Sequence, residues 1–274
     1  MTSTLTGADS NRTTDGSKEK RVAFTVLTVL FAVASFGGLF GVGLIIGWFD
    51  GDESGIHRVH DLGYGIAYGI VLTTAFAALA RRPENKPSVL LQVMATALAS
   101  AAAAVLSSEL SFLVIAAAIA VFGAVLLALY PDRRSVLRPQ ANPSPAMALF
   151  ALAGSVPLVW FGLTSARLQR TGSPADPHVA EGHWTTMAAM AFTLALVGLL
   201  ASARVRGWRI TAWCAGLGVA VYGVASIVFN RLPGTDMPYA GSEGVAWGVV
   251  AVVGGLAFVG LSEWEARRMR AVGA

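Results

Sequence analysis

The chain is predicted to be an all-α membrane protein of eight transmembrane helices, built as two parallel four-helix repeats with both termini cytoplasmic. Three observations predict this. Of its 274 residues, 55% are hydrophobic and only 13% are charged, against roughly a quarter charged in a soluble domain. The hydrophobic residues fall in long blocks, each near the roughly 20 residues that cross a bilayer as a helix. The Lys and Arg residues collect in alternate connections between those blocks. A soluble globule and a disordered chain are both excluded, and eight spans leave no room for a soluble domain.

The elements follow in order. Residues 1–21 are rich in Ser, Thr, Asn, Asp and Gly and read as a disordered cytoplasmic tail. Apolar blocks follow at about 22–48, 61–80, 89–106, 110–130, 144–164, 184–203, 210–229 and 244–262. Together, residues 22–262 form the transmembrane domain, with halves 22–130 and 144–262, and 263–274 form a cytoplasmic C-terminal tail. Ala32-Val33-Ala34 mimics a signal-peptidase site, but apolar sequence continues to Trp48, so the first block reads as an uncleaved span. Only Ser107, Ser108 and Glu109 separate the third and fourth blocks. One helix over both would far exceed a bilayer crossing, so a turn is expected there. Trp48, Trp160, Trp184, Trp208 and Trp264 lie near block ends, as an aromatic belt would.

Charge sets the orientation. With the N-terminus cytoplasmic, 16 of the 20 Lys and Arg residues lie on that side; Arg58, Arg167, Arg170 and Arg231 lie on the other. That asymmetry is the positive-inside pattern. The basic residues are dispersed among short loops, which argues against nucleic acid as a partner; the partner is the lipid bilayer. Arg-rich, Ala-rich usage and short loops point to a bacterial plasma membrane. The only three lysines, Lys18, Lys20 and Lys86, lie outside the blocks, which excludes a retinal Schiff base. No block centre holds Asp, Glu, Arg, Lys or His, against a proton pump or voltage sensor. Cys214 is the single cysteine, so neither an intrachain disulfide nor a Cys-based metal site is possible.

The halves repeat at an offset of 123 residues: Val22 with Pro145, His60 with His183, Arg81 with Arg204. The repeat also relates two candidate interruptions, Ser35-Phe36-Gly37-Gly38 in block 1 and Gly154-Ser155-Val156-Pro157 in block 5. Paired interruptions point to a mid-membrane transport site, although Gly and Pro also serve plain packing. Gly37-xxx-Gly41, Gly43-xxx-Gly47 and Gly65-xxx-Gly69 read as packing faces.

All four histidines fall on the outer side. His57 and His60 precede Asp61, and His178 and His183 flank Glu181. His57 and His60 share a helical face at i and i+3. Neutral imidazole is a ligand for zinc, copper, iron and nickel, so His57, His60, His178 and His183 are candidate metal ligands. Asp61 and Glu181 are candidate partners orienting the imidazoles. His60 and His183 are alternatively axial ligands of a haem. The plain alternative is structural: solvated histidines, carboxylates favoured at helix N-termini, and Asp176-Pro177 as a turn into a helix. The His-Glu-x-x-His spacing of zinc proteases, Walker loops and nucleophile elbows are absent. Asp50, Asp52 and Glu53 form an acidic patch without calcium-loop spacing.

The run of His183-Trp184, Arg204, Trp208-Arg209 and Gly241-Ser-Glu-Gly-Val-Ala-Trp247, over about residues 176–262, resembles uncharacterised bacterial multipass integral membrane proteins. The two-times-four layout, with His60 and His183 opening the second span of each half and Glu53 ahead of His57-Arg58, resembles haem A synthases. That resemblance implies outer-face haem ligation. The chain departs from it at the outer ends of spans 4 and 8, where Ser107-Ser108-Glu109 and Ser242-Glu243 stand in place of histidine.

Three readings stand: a protein with an outer-face His metal or haem site, a small-molecule transporter using blocks 1 and 5, and a non-catalytic scaffold acting in a homo-oligomer or with a membrane partner. Whether any of them is an enzyme is left open.

Overall fold

The computed structural model describes residues 7–37, 41–49, 55–229 and 244–272. The regular elements among them are all helical. In chain order they are α1 (Gly7–Ser35), α2 (Gly41–Phe49) and α3 (Gly55–Tyr64), then a π-helical stretch Gly65–Leu72 running into α4 (Thr73–Leu79). Next come α5 (Pro87–Ser107), α6 (Leu113–Leu129), α7 (Arg133–Leu137) and α8 (Pro145–Thr171). The last four are α9 (Pro177–Ala180), α10 (His183–Ser202), α11 (Trp208–Val228) and α12 (Val245–Val272).

Seven helical stretches of the described residues are long and apolar enough to cross a membrane, among them Arg58–Leu79, Pro87–Ser107 and Leu110–Leu129. They coincide with the second to eighth apolar blocks. The first block is described as two helices on either side of residues 38–40. α1 ends at Ser35, two residues of π geometry follow, and α2 resumes at Gly41; residues 38–40 lie outside the described part. The apolar portion of α1 alone, 22–35, is too short to cross. In the other direction α1 reaches back to Gly7, into the segment expected as a tail, and α12 continues to Val272.

Caps explain several ends. Ser108 takes a left-handed conformation (φ 61°) after α5, and Glu109 N–H donates to Ala104 O, giving the expected turn before α6. Ser144 Oγ accepts from Met147 N–H, with Pro145 at the first helical position of α8. Block 5 was expected to be interrupted at Gly154–Pro157, but α8 runs unbroken through it. Pro157 lacks the N–H that would reach Ala153 O, and α8 continues past that one missing bond, as membrane helices do where their surroundings take up a local loss.

α10 is the central helix. It packs on α8, α5, α11 and α3, and 83% of its most apolar window is buried, against 22–28% for the stretches containing α6, α8 and α12. The outer helices expose apolar side chains such as Val114, Leu149, Val156 and Val253, as surfaces toward lipid do. α11 and α12 approach closely: a Cβ on Gly255 would lie 2.3 Å from Gly216 O, so only glycine fits. The expected packing faces also hold at Gly47, closed over by Leu62, and at Gly65, set against Leu44. Two of the boundary tryptophans face inward: Trp184 and Trp208 are buried, whereas Trp160 and Trp264 are exposed.

The halves meet along a central seam. α10 lies on α5, and α11 lies on α3, the π stretch and α4. On that seam Ser88 Oγ and Thr211 Oγ1, 123 residues apart, are 2.9 Å apart.

Candidate functional site

Three of the four histidines come together. His60 stands in the second turn of α3, His178 in α9, and His183 opens α10. The ring centroids are 5.2 Å apart for His60–His178, 5.4 Å for His60–His183 and 5.9 Å for His178–His183, each pair edge to face. His60 and His178 are buried, and His183 is the most open of the three, with 18% of its side chain exposed. Trp184 closes one side of His60, its ring centroid 4.6 Å away.

The local sequence explains the placement. Asp176 caps α9 by accepting from His178 N–H at 3.0 Å, and the same carboxylate oxygen lies 2.8 Å from His178 Nδ1. Gly182 then turns the chain into α10 with φ 72°, where a side chain would be strained and its Cβ would sit 2.5 Å from Phe112. That turn aims His183 back toward α3. Glu181 Oε2 lies 3.1 Å from His183 Nε2. Two rings are thus each held at one nitrogen by a carboxylate, which turns His178 Nε2 and His183 Nδ1 to the opposite sides of their rings.

Of the candidate ligands, His60, His178 and His183 converge. His57 has its backbone in α3, three residues before His60, and its side chain is outside the described part. Glu181 lies beside the His183 imidazole. Asp61 follows His60 in α3 and is half-buried, while the carboxylate on His178 is Asp176, which sequence reasoning assigned to a turn. Asp50, Asp52 and Glu53 lie outside the described residues. As the side chains stand, no three His, Cys, Asp or Glu residues among the described ones form a group able to hold a metal ion.

A buried polar stripe runs away from the histidines. Tyr64 packs edge-on against Tyr68 at 5.1 Å, and the Tyr68 hydroxyl is 2.8 Å from Ser100 Oγ. Along α5, Ser88, Gln92, Thr96 and Ser100 recur every four residues and are all buried. Gln92 Nε2 donates to Val71 O at 2.8 Å, and Thr185 Oγ1 donates to Ser107 Oγ at 2.9 Å. In the π stretch, Tyr68 O accepts from Ser35 Oγ at 3.0 Å and Thr73 Oγ1 at 3.3 Å. Side-chain donors entering the carbonyl ladder go with such widened turns. The four-residue spacing on α5 was the available sequence clue to this stripe, hidden by the apolar residues between.

The proposed mid-membrane transport site looks different from its expectation. A cavity of about 260 Å³ lies beside Gly154 and Pro157, between α8, α10, α11 and α12, and its lining is nearly all apolar, including Phe150, Leu194, Val219 and Trp247.

Comparison with protein-family models, with curated proteins and with solved structures finds no match to this chain.

Proposed function

We propose that this polytopic membrane protein crosses a bacterial plasma membrane eight times, as two parallel four-helix halves, and carries a transition-metal site on its outer face made by His60, His178 and His183. In this reading α1 and α2 together make the first span. The duplication is supported by two pairs that meet at an offset of 123 residues, His60 with His183 and Ser88 with Thr211. Corresponding residues touch where they flank a twofold axis.

The observation that carries the metal reading is the triangle of imidazoles. A metal about 2.0–2.1 Å from each ligating nitrogen puts ring centroids roughly 5 Å apart in tetrahedral geometry. The centroid spacings of 5.2–5.9 Å match that scale. Binding then asks for ring rotation within the cluster. Asp176 and Glu181 supply the carboxylate–histidine pairing that orients ligating imidazoles. A haem fits this cluster less well. Axial imidazoles face each other across an iron and its macrocycle, whereas His60 and His183 meet directly, edge to face.

The test is metal uptake by the purified protein in detergent. Cobalt(II) titration, read by its d–d absorption and by metal analysis, is expected to saturate at one ion per chain. His60→Ala and His183→Ala are each expected to lose it. A protein that takes up no ion, or variants that bind as well as wild type, would overturn the reading. A Soret band on purification would replace it with the haem reading.

A further inference from the structure

The other end of the molecule carries a site of different chemistry. Where polar sequence gives way to the first apolar block, α1 presents Lys20 and Arg21, and Val22 begins the apolar surface. Arg133 and Arg134 stand opposite them, at the start of α7. Between them lies a cleft of about 630 Å³ whose floor is Leu129, Tyr130 and Pro131. Its four cations face two carboxylates, Glu84 and Asp132. Asp132 is already engaged, with Oδ2 at 3.3 Å from Arg206 Nη2, outside the cleft, and Oδ1 accepting from Ser135 N–H. Glu84 reaches Arg21 at 3.8 Å between exposed side chains, a pairing that holds Arg21 weakly. The cleft therefore keeps unbalanced positive charge on exposed side chains.

We infer that this cleft binds the phosphate headgroup of an anionic phospholipid. Three features select a lipid. The cleft is far larger than one phosphate. It sits at the polar-to-apolar boundary of α1, and α1 packs on α6 just beneath it. Below Arg21 the surface of α1 is an exposed apolar row, Val22, Val26, Val29 and Val33, along which acyl chains lie. Arg and Lys clusters against a membrane attract anionic headgroups at about a five-fold gain in affinity for each cation. The imidazole site plays no part in this inference.

The experiment places the full chain in phosphatidylcholine nanodiscs and titrates a fluorescent phosphatidylglycerol. Wild type is expected to enrich the probe, and Arg133→Gln/Arg134→Gln to weaken that enrichment roughly 25-fold. Arg167→Gln/Arg170→Gln, at the far end of α8, is expected to behave as wild type. These are exposed side chains, so unchanged thermal unfolding verifies the fold of both variants. Equal enrichment by wild type and the Arg133/Arg134 variant, or equal loss in the control variant, would overturn the inference. So would displacement of the probe by millimolar inorganic phosphate alone, which would make the cleft a soluble-anion site.

Discussion

Replacing Glu265 by Gln tests how the arginine-rich end of the second half is held. Glu265 is buried on α12 and receives two donors from other elements: Ser144 Oγ at 2.6 Å and Arg204 Nη1 at 3.0 Å. The ion pair is enclosed, with 11% and 8% of the two side chains exposed. Arg204, in a left-handed conformation (φ 49°) at the end of α10, also donates through Nε to Asn142 O at 2.6 Å. One carboxylate thus ties α8, α10 and α12 together. Removing one member of a buried pair costs about 3–5 kcal/mol, because the partner charge is stranded. The amide keeps an acceptor for Ser144, and Arg204 keeps Asn142, so the expected loss is about 2–3 kcal/mol. At roughly 2–4 °C per kcal/mol for a chain of this size, the midpoint falls by about 5–10 °C. The chain carries its own reporter: Cys214 is the single thiol and is 3% exposed, so a thiol-reactive dye reads unfolding in detergent. Glu265→Met and Arg204→Met are each expected to cost at least as much, and the Arg204→Met/Glu265→Met double variant to cost less than the sum of the two. A Glu265→Gln midpoint within 1 °C of wild type, or strictly additive losses in the cycle, would refute the reasoning.

Two further outcomes are expected in the same thiol assay. Gly255→Ala drives a Cβ onto the backbone of α11 and is expected to cost about 1–3 kcal/mol; Gly254→Ala, where nothing lies within 4 Å, is expected to be near neutral. Equal effects would show that α11 and α12 are not packed as described. Tyr130, just beyond the Leu110–Leu129 span, donates its hydroxyl to Pro83 O and sets its ring edge-on to Phe24. Burial raises this phenol above its usual pKa of 10.0, so both folded and unfolded chains hold the proton at neutral pH. Above about pH 10 the unfolded chain releases it first, and stability falls as pH rises. Tyr130→Phe is expected to cost about 1 kcal/mol at pH 7 and to flatten that alkaline decline; an unchanged slope above pH 10 would count against the buried hydroxyl.

Much of the architecture was legible because bilayer thickness sets a length scale that apolar blocks must meet. The turn at Ser107–Glu109 followed from that length alone. Pro157 misled because a proline's local cost was read as a break, whereas in a long apolar helix one missing hydrogen bond is absorbed. In the first block the α-helical part of α1 ends at Ser35 and turns to π geometry at Phe36 and Gly37, and the rest of the expected interruption lies outside the described residues. The meeting of His60 and His183 was foreshadowed by their common offset. Asp176 and Trp184 were not legible as members of that cluster, because their roles depend on the turn at Gly182 and on how far α9 reaches toward α3. Sequence spacing carries no such distance. The polar face of α5 was diluted by the alanines around it.

The burial of α10 has a consequence for how the chain is made. α10 and α11 are synthesised after α5, yet they supply Thr185 for Ser107 and Thr211 for Ser88. Earlier residues, Tyr68 and the carbonyl of Val71, already partner Ser100 and the amide nitrogen of Gln92. A half-finished chain therefore holds α5 before its side-chain bonds to α10 and α11 can form. His60 waits in the same way, for rings that leave the ribosome more than a hundred residues later. Membrane helices that insert first and associate afterwards tolerate such a delay, so the seam closes only once α10 and α11 have both been made.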